Sequence, residues 1–407
     1  MPCPLSCHAV TLPERALVTV CSVQSSRHIG IAGAGFSGAV IARGLAEAGH
    51  KVSVFEAREH IAGNCHTARD RNGVMVHRYG PHIFHTNDDE VWAFVNQYAE
   101  MERYDHRVFT TTRSGVYSMP VNLLTINQLL GTTMSPSEAS ALLEKSRTRT
   151  SRPPVSFHDA ALASIGPVLF EEFFQGYTEK QWGRSTADLP ASVFGRLPVR
   201  TDYRSSYFSH PHQGIPRLGY TVMVERILDH PSIDVRLATP IDAPALDQFD
   251  HAIWTGPLDA YFGFSEGRLP YRTLDFEEED HLGDFQGCPV MNYAERSVPF
   301  TRITEHKHFA PWESHERTTI FREFPREHTE GDIPYYPVRL ADGQSLLDRY
   351  VELALGTSTV TFAGRLGTFR YLDMDVTIRE ALDTTAALID AFSTGSSPPV
   401  FSGKVTD

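Results

Sequence analysis

Two kinds of residue in this 407-residue chain are spaced for chemistry. The first is a glycine turn, Gly33-Ala34-Gly35-Phe36-Ser37-Gly38, set between an apolar run from His28 to Ala32 and a helical run from Ser37 to Ala48. In the pattern G-x-G-x-x-G the first glycine permits a tight turn and the second lets backbone N–H groups approach a pyrophosphate. The third lets helix and strand pack closely. Gly33, Gly35, Phe36 and Gly38 are therefore candidate dinucleotide contacts. The next apolar run ends on Glu56, 23 residues after Gly33, where a carboxylate accepts hydrogen bonds from ribose hydroxyls.

The second kind is a set of segments that join rigid aromatics to cations: GYTEKQWG (Gly176 to Gly183), Arg196 to Tyr207, Tyr271 with Arg272, TRITEH (Thr301 to His306), PYYP (Pro334 to Pro337) and RYLDMD (Arg370 to Asp375). Arginine offers permanent, forked donors to phosphate, tyrosine adds neutral donors, and aromatic faces stack on bases. Together these are the groups a bound nucleotide sugar requires. The pair His82-x-x-His85 has metal-ligand spacing, but no third ligand stands nearby in the sequence, so no metal is expected. The run Asp275 to Asp280 reads as a solvated face.

The elements that must hold these groups follow from periodicity. Strand, glycine turn, helix and strand from His28 to Glu56 make a βαβ opening. A capping box at Asn87 and Glu90 starts a segment, to about Leu189, in which helices dominate. Strand-like runs then prevail, and a last helix spans Thr377 to Phe392. The expected fold is α/β: a discontinuous Rossmann-like FAD-binding domain with an inserted helical bundle and an antiparallel β-sheet domain. The FAD-binding domain takes 28–86 with about 215–260 and 338–392. Residues 87–189 form the helical domain, about 190–214 with 261–337 the sheet domain, 1–27 a ragged leader and 393–407 a mobile tail. FAD is preferred to NAD because Arg58 to Asn64 offers small residues for a second meeting with a pyrophosphate, and Phe362 to Gly367 leads into a helix N-terminus.

Composition narrows the function classes. The net charge is −13, from 37 basic and 50 acidic residues, which disfavours nucleic acid and anionic lipid as partners. Five cysteines, three of them before residue 28, do not make a disulfide scaffold. No run approaches the ~18 apolar residues of a membrane span, so a cytoplasmic enzyme is expected.

The ordered motifs GAGFSG, YGPHIFHT, GYTEKQWG, RLPVR, YRTLDF, TRITEHKHF, DIPYYP and GRLGTFRYLDMDV resemble those of the bacterial UDP-galactopyranose mutase family, over roughly residues 28–390. The resemblance implies interconversion of UDP-galactopyranose and UDP-galactofuranose through attack of reduced FAD N5 on the anomeric carbon, with no net redox change. It implies Arg196 and Arg302 as phosphate arginines and Tyr207, Tyr336 and Tyr371 as pyrophosphate tyrosines. Phe173 and Tyr177 fall at the uracil, Trp182 on a mobile lid, and Arg272 and Asn292 in the pocket. His82, Ile83 and His85 match the loop beside the flavin, with His85 grouped among the catalytic residues alongside Arg196, Arg302, Tyr336 and Tyr371. Glu56, Asn64, Arg365, Asp375 and Val376 match FAD contacts. An external reductant (NADPH, NADH or a reductase) is implied, and such enzymes often form dimers.

The chain departs from that pattern at four places. His106 stands where an asparagine contacts the substrate, Ser206 replaces an asparagine, Phe369 a tyrosine and Ala62 a glycine. His106 differs in size, tautomer and charge and suits another sugar, so a pyranose/furanose mutase for a different nucleotide sugar is the alternative. An FAD oxidoreductase of the amine oxidase type is the third reading.

Overall fold

The computed structural model describes residues 26–149, 151–194, 199–339 and 341–405. At its centre a five-stranded, all-parallel sheet runs in the order Ile233–Arg236, Lys51–Phe55, His28–Ala32, His251–Trp254, Val360–Phe362. Its middle strands are nearly continuous apolar runs because both faces are covered. Helices Phe36–Glu47 and Met374–Thr394 contribute to the same core, in which Ile29, Ile31, Val52, Val54, Ile253, Ile41, Leu45 and Ile378 are fully buried. The strand order reverses at His28–Ala32, and ligands of such sheets bind at that switch point, beyond the carboxyl ends of the strands. The glycine turn sits there.

A second sheet has seven strands in the order Tyr336–Pro337, Tyr271–Leu282, Arg317–Glu327, Arg302–Glu305, Val290–Tyr293, Val108–Thr112, Gly115–Met119. Every pairing is antiparallel except Val290–Tyr293 with Val108–Thr112. Helices between Leu123 and Trp182 pack around a separate core built on Phe157, Phe170, Phe173, Ile126 and Val121.

Three local expectations change. The helix after Thr86 is capped by Asp88, whose carboxylate accepts from the Glu90 and Val91 amides, and not by Asn87. A capping box forms instead at the helix Pro136–Ser146, between Ser135 and Glu138. The segment expected to be mostly helical contains the hairpin Val108–Thr112 and Gly115–Met119, whose alternating Val-Phe-Thr-Thr-Thr pattern buries one face in the large sheet.

The segment from residue 400, expected to be mobile, is docked. The Val400 carbonyl and Ser402 amide bracket Phe362, the Phe401 ring lies 5.4 Å from the Phe362 ring, and Arg370 and Arg339 donate to the Ser402 and Val405 carbonyls. Each such hydrogen bond contributes about 1 kcal/mol net. Deleting residues 400–407 is expected to lower unfolding free energy by roughly 2–4 kcal/mol by this sum. A denaturant midpoint equal to that of the full chain would show the segment contributes nothing.

Candidate active site

The dinucleotide end is built by close approach of two loops. Gly33 holds φ 103°, and a side chain there would meet Thr255 Oγ1, which itself donates to the Ala32 carbonyl. A Cβ on Gly38 would strike the Gly33 carbonyl. Gly35 packs directly on Gly63, a Cβ on Gly63 lying 3.4 Å from the Gly35 Cα, and Gly63 holds φ 53°, a conformation that favours glycine. No side chain caps the helix that starts at Phe36, and its first amides are suited to an anion. The buried Glu56 carboxylate accepts from the Ala34 amide at 2.9 Å and the Arg58 amide at 3.0 Å, which fixes it beside the turn. Arg58 donates to Asn64 Oδ1 at 2.9 Å and lies 4.6 Å from the Tyr79 ring centroid, while its other terminal nitrogen is buried without a partner. Two of the four departures, Ala62 and Phe369, hold left-handed backbones, at φ 73° and 48°. That geometry costs a non-glycine residue about 1–2 kcal/mol. The two loops are joined by the Ala62 amide donating to the Ala34 carbonyl at 2.9 Å, and together with the uncapped helix start they fit a dinucleotide whose pyrophosphate meets their shared glycine edge.

The second half of the cleft centres on Arg302. It stands directly across the strand pair from Glu323, and its Nε and Nη2 donate to the two carboxylate oxygens at 2.8 and 2.9 Å. Glu323 is only 1% exposed and the Arg302 side chain 21%, so the pair is bidentate and largely withdrawn from water on the carboxylate side. Glu323 holds the Arg302 guanidinium charged against burial. That charge acts on the hydroxyls of Tyr177, Tyr207 and Tyr336 and the imidazoles of His82 and His106, so these residues, from separate segments, gather around one guanidinium. Burial pushes the Tyr177 phenol up to about 12 and those of Tyr207 and Tyr336 upward as well, so all three are neutral donors. The Tyr336 and Tyr371 rings stack 5.7 Å apart, and the Arg365 guanidinium lies 5.0 Å from the Tyr371 centroid. Asn292 pairs in register with Arg302 and keeps a buried Oδ1 without a partner.

His106 is almost wholly buried, and its Nδ1 has no partner. Its ring packs edge-on to Tyr207 at 5.5 Å, and its carbonyl accepts from the Tyr207 amide. Burial, reinforced by Arg302, lowers its pKa to about 3, so the ring is neutral. Burial likewise lowers His82 to about 4; its Nδ1 faces the Gly80 carbonyl at 2.8 Å, whereas His85 Nδ1 faces His210 Nδ1 at 2.8 Å. The two histidines of the His82-x-x-His85 pair therefore turn to different partners. Ile83 is buried between them, and Asp375 and Val376 open the Met374–Thr394 helix near His85.

Two expected substrate residues are engaged elsewhere. Arg272 donates to the Gln181 and Lys180 carbonyls, tying down the C-terminus of the helix Gly176–Trp182 that carries Tyr177 and Trp182. Phe173 is packed in the helical core against Tyr117. Trp182 packs at the edge of that same core. Arg196 lies outside the described residues. Glu323 and His210 escaped sequence reasoning. A lone acid inside the apolar strand run Thr318 to Phe324 was the available signal for the first; nothing local marks the second.

Similarity to known proteins now bears on this geometry. The chain is 50% identical over 382 residues to a Klebsiella pneumoniae protein described as "Probable UDP-galactopyranose mutase", covering 94% of this chain and 100% of that one. It belongs to the UDP-galactopyranose mutase family. The family signature, GLF, matches residues 172–371, and a signature for an NAD(P)-binding Rossmann-like domain matches residues 31–98. As a family member the chain is an isomerase. It is also 46% identical over 363 residues to a dTDP-fucopyranose mutase of Escherichia coli, covering 87% of this chain and 96% of that one. Among solved structures, a reduced UDP-galactopyranose mutase superposes with TM-score 0.71 at 16% identity, over 91% of this chain and 96% of the other. A putrescine oxidase variant gives TM-score 0.55 at 13% identity, over 90% and 99%. These two matches establish the shared fold. Among the described residues no helix is long and apolar enough to cross a membrane.

Two outcomes follow for the family member. Glu323→Gln leaves the Arg302 charge half-satisfied, and unfolding free energy is expected to fall by about 2–4 kcal/mol in urea denaturation; no change would mean the pair is solvated. Burial also depresses His82, His106, His306 and His251, to between about 3 and 4. The folded state keeps them neutral while the unfolded chain protonates them below about 6.5, so stability is full above 6.5 and falls as pH drops toward 4. Stability that is flat across pH 6.5–4.5 would contradict their burial.

Proposed function

We propose that this chain interconverts UDP-galactopyranose and UDP-galactofuranose, with FAD bound at the Gly35 and Gly63 loops. The observation that carries the reading is one charged arginine ringed by neutral phenols. Bound in reduced form, FAD supplies a nucleophile toward the anomeric carbon, and the protein's residues do the rest. Arg302 gives Nε and Nη2 to Glu323, which leaves Nη1 for a diphosphate oxygen. Tyr207, Tyr336 and Tyr371 add neutral donors, so charge developing on the departing UDP meets preorganised dipoles in a desolvated cleft. Tyr177 and Trp182, on the helix anchored by Arg272, close over the nucleotide and keep water from the opened sugar. Glu56, Asn64, Arg365, Asp375 and Val376 hold the cofactor, His82, Ile83 and His85 line its reactive side, and Arg196 is the second phosphate arginine. The setting is cytoplasmic, with NADPH, NADH or a reductase as electron source and a homodimer as the working assembly.

A second reading has its own support. His106 presents an unpartnered Nδ1 where the resemblance places an amide, and a dTDP-fucopyranose mutase is nearly as similar as the Klebsiella relative. A different nucleotide sugar is thus the alternative, with His106 reading its hydroxyls.

The test incubates purified protein with UDP-galactofuranose and, in parallel, dTDP-fucofuranose, with and without dithionite, and separates the products by chromatography. UDP-galactopyranose formed only in the reduced sample, and faster than dTDP-fucopyranose, is expected. Preferential turnover of the dTDP sugar would move the assignment to the second reading. Arg302→Ala is expected to lower turnover by about 10²–10³-fold or more while FAD stays bound, because a charge-assisted contact to the leaving group is lost. Near wild-type turnover would remove Arg302 from the mechanism.

A further inference from the structure

His210 lies in none of the motifs that point to the site, yet among the described residues it is the side-chain hydrogen-bond partner of His85. Strand Phe84–Thr86 pairs antiparallel with His212–Pro216, His85 in register with Gln213, so the turn before that second strand is brought back over His85. Gln213 Nε2 donates to the His210 carbonyl at 2.7 Å and fixes the turn. Phe208 from the same turn stacks flat on the His85 ring, with centroids 3.7 Å apart and planes at 25°. Packing on one face and a hydrogen bond at one edge leave the His85 imidazole a single orientation.

The contact itself is Nδ1 to Nδ1 at 2.8 Å. Two lone pairs, or two N–H groups, would repel at that distance, so one proton lies between the rings. Two nitrogens on one tetrahedral zinc, at about 2.0–2.1 Å each, would stand ~3.3 Å apart, so the separation fits a shared proton better than a shared metal. When the pair is neutral, whichever ring donates from Nδ1 has its Nε2 bare and the other carries its hydrogen on Nε2. When the pair gains one proton, both Nε2 atoms carry hydrogen. The protonated pair therefore has a single tautomer, and in the neutral pair the choice of donor falls to the unequal surroundings of the two rings, a discrimination that an isolated imidazole in solution lacks. The charged and titratable groups around His85 are Asp373 and Asp375 at the start of the Met374–Thr394 helix, His210 on the turn, and neutral His106 behind it.

We propose that His210 is a positioning residue that fixes the tautomer and ring orientation of His85 through a shared Nδ1 proton. The inference rests on the reading of His85 as lining the reactive side of the cofactor. There, a histidine of defined tautomer presents one constant hydrogen-bonding character through Nε2, which a freely flipping ring does not.

The experiment uses the full-length holoprotein labelled with ¹⁵N-histidine, observed by NMR near pH 7.5, together with steady-state kinetics and the flavin midpoint potential. In wild type, His85 is expected as one tautomer, its Nδ1 shift moved by the shared proton. In His210→Phe it is expected as a tautomer mixture, with kcat down about 10–100-fold, KM for the nucleotide sugar changed less than about threefold, and a shifted midpoint potential. His210→Asn, whose amide can restore a partner to Nδ1, is expected to recover a single tautomer and most of kcat. A tautomer mixture in wild type, an unchanged His85 signal in His210→Phe, or unchanged kcat with an unchanged midpoint potential would overturn the proposal. If no nucleotide sugar is isomerised by wild type, the proposed function fails. The proposal then stands or falls on the NMR signal and the midpoint potential alone.

Discussion

The Arg302–Glu323 ion pair is the constraint around which the cleft is organised. A guanidinium buried among tyrosines would be prohibitively desolvated without a carboxylate on two of its nitrogens, and Glu323 supplies that from the neighbouring strand in exact register. Once the charge is held there, the chemistry of the neighbours follows. Burial disfavours the ionised phenols there, so they serve as donors, and burial, reinforced by nearby arginine charge, keeps the imidazoles neutral. A wall with one cation and several neutral donors suits a diphosphate better than a carboxylate or a neutral sugar. The seven-stranded sheet sets Arg302, Glu323, Asn292 and Tyr336 at fixed spacings through its strand registers.

Much of the fold was legible because local chemistry and tertiary role agree there. The turn Gly33 to Gly38 announces itself, since each glycine answers a steric demand seen in the structure: Thr255 against Gly33, the Gly33 carbonyl against Gly38. Glu56 is placed by the same logic. Legibility failed where partners are remote in sequence. The hairpin at 108–119 reads as part of a helical segment until its pairing with Val290–Tyr293, about 180 residues away, is seen. The docked C-terminal segment follows a stretch, 393–399, rich in Ser, Gly and Pro, and its bonds to Phe362, Arg339 and Arg370 give it order.

The site divides along the same line. Resemblance supplied the arginine, tyrosine and histidine positions, and Arg302, Tyr177, Tyr207, Tyr336, His82 and His106 do converge. What it could not supply was the supporting layer. Glu323 and His210 have no motif because their roles exist only through cross-strand register, and Arg272 looks like a phosphate ligand in sequence while it caps a helix in space. His106 sits between these cases, at a position the resemblance gives to an asparagine but with a buried Nδ1 that has no partner.

The central claim is that this cleft reads a diphosphate through Arg302 and its ring of phenols. Titration calorimetry of the holoprotein with UDP and with uridine tests it directly, in wild type and in Arg302→Ala. Two or more charge-assisted hydrogen bonds at about 1.5–3 kcal/mol each predict UDP binding at least about 10²-fold tighter than uridine, with most of that advantage gone in the variant. Uridine binding as tightly as UDP, or a UDP preference untouched by the loss of Arg302, would contradict the account.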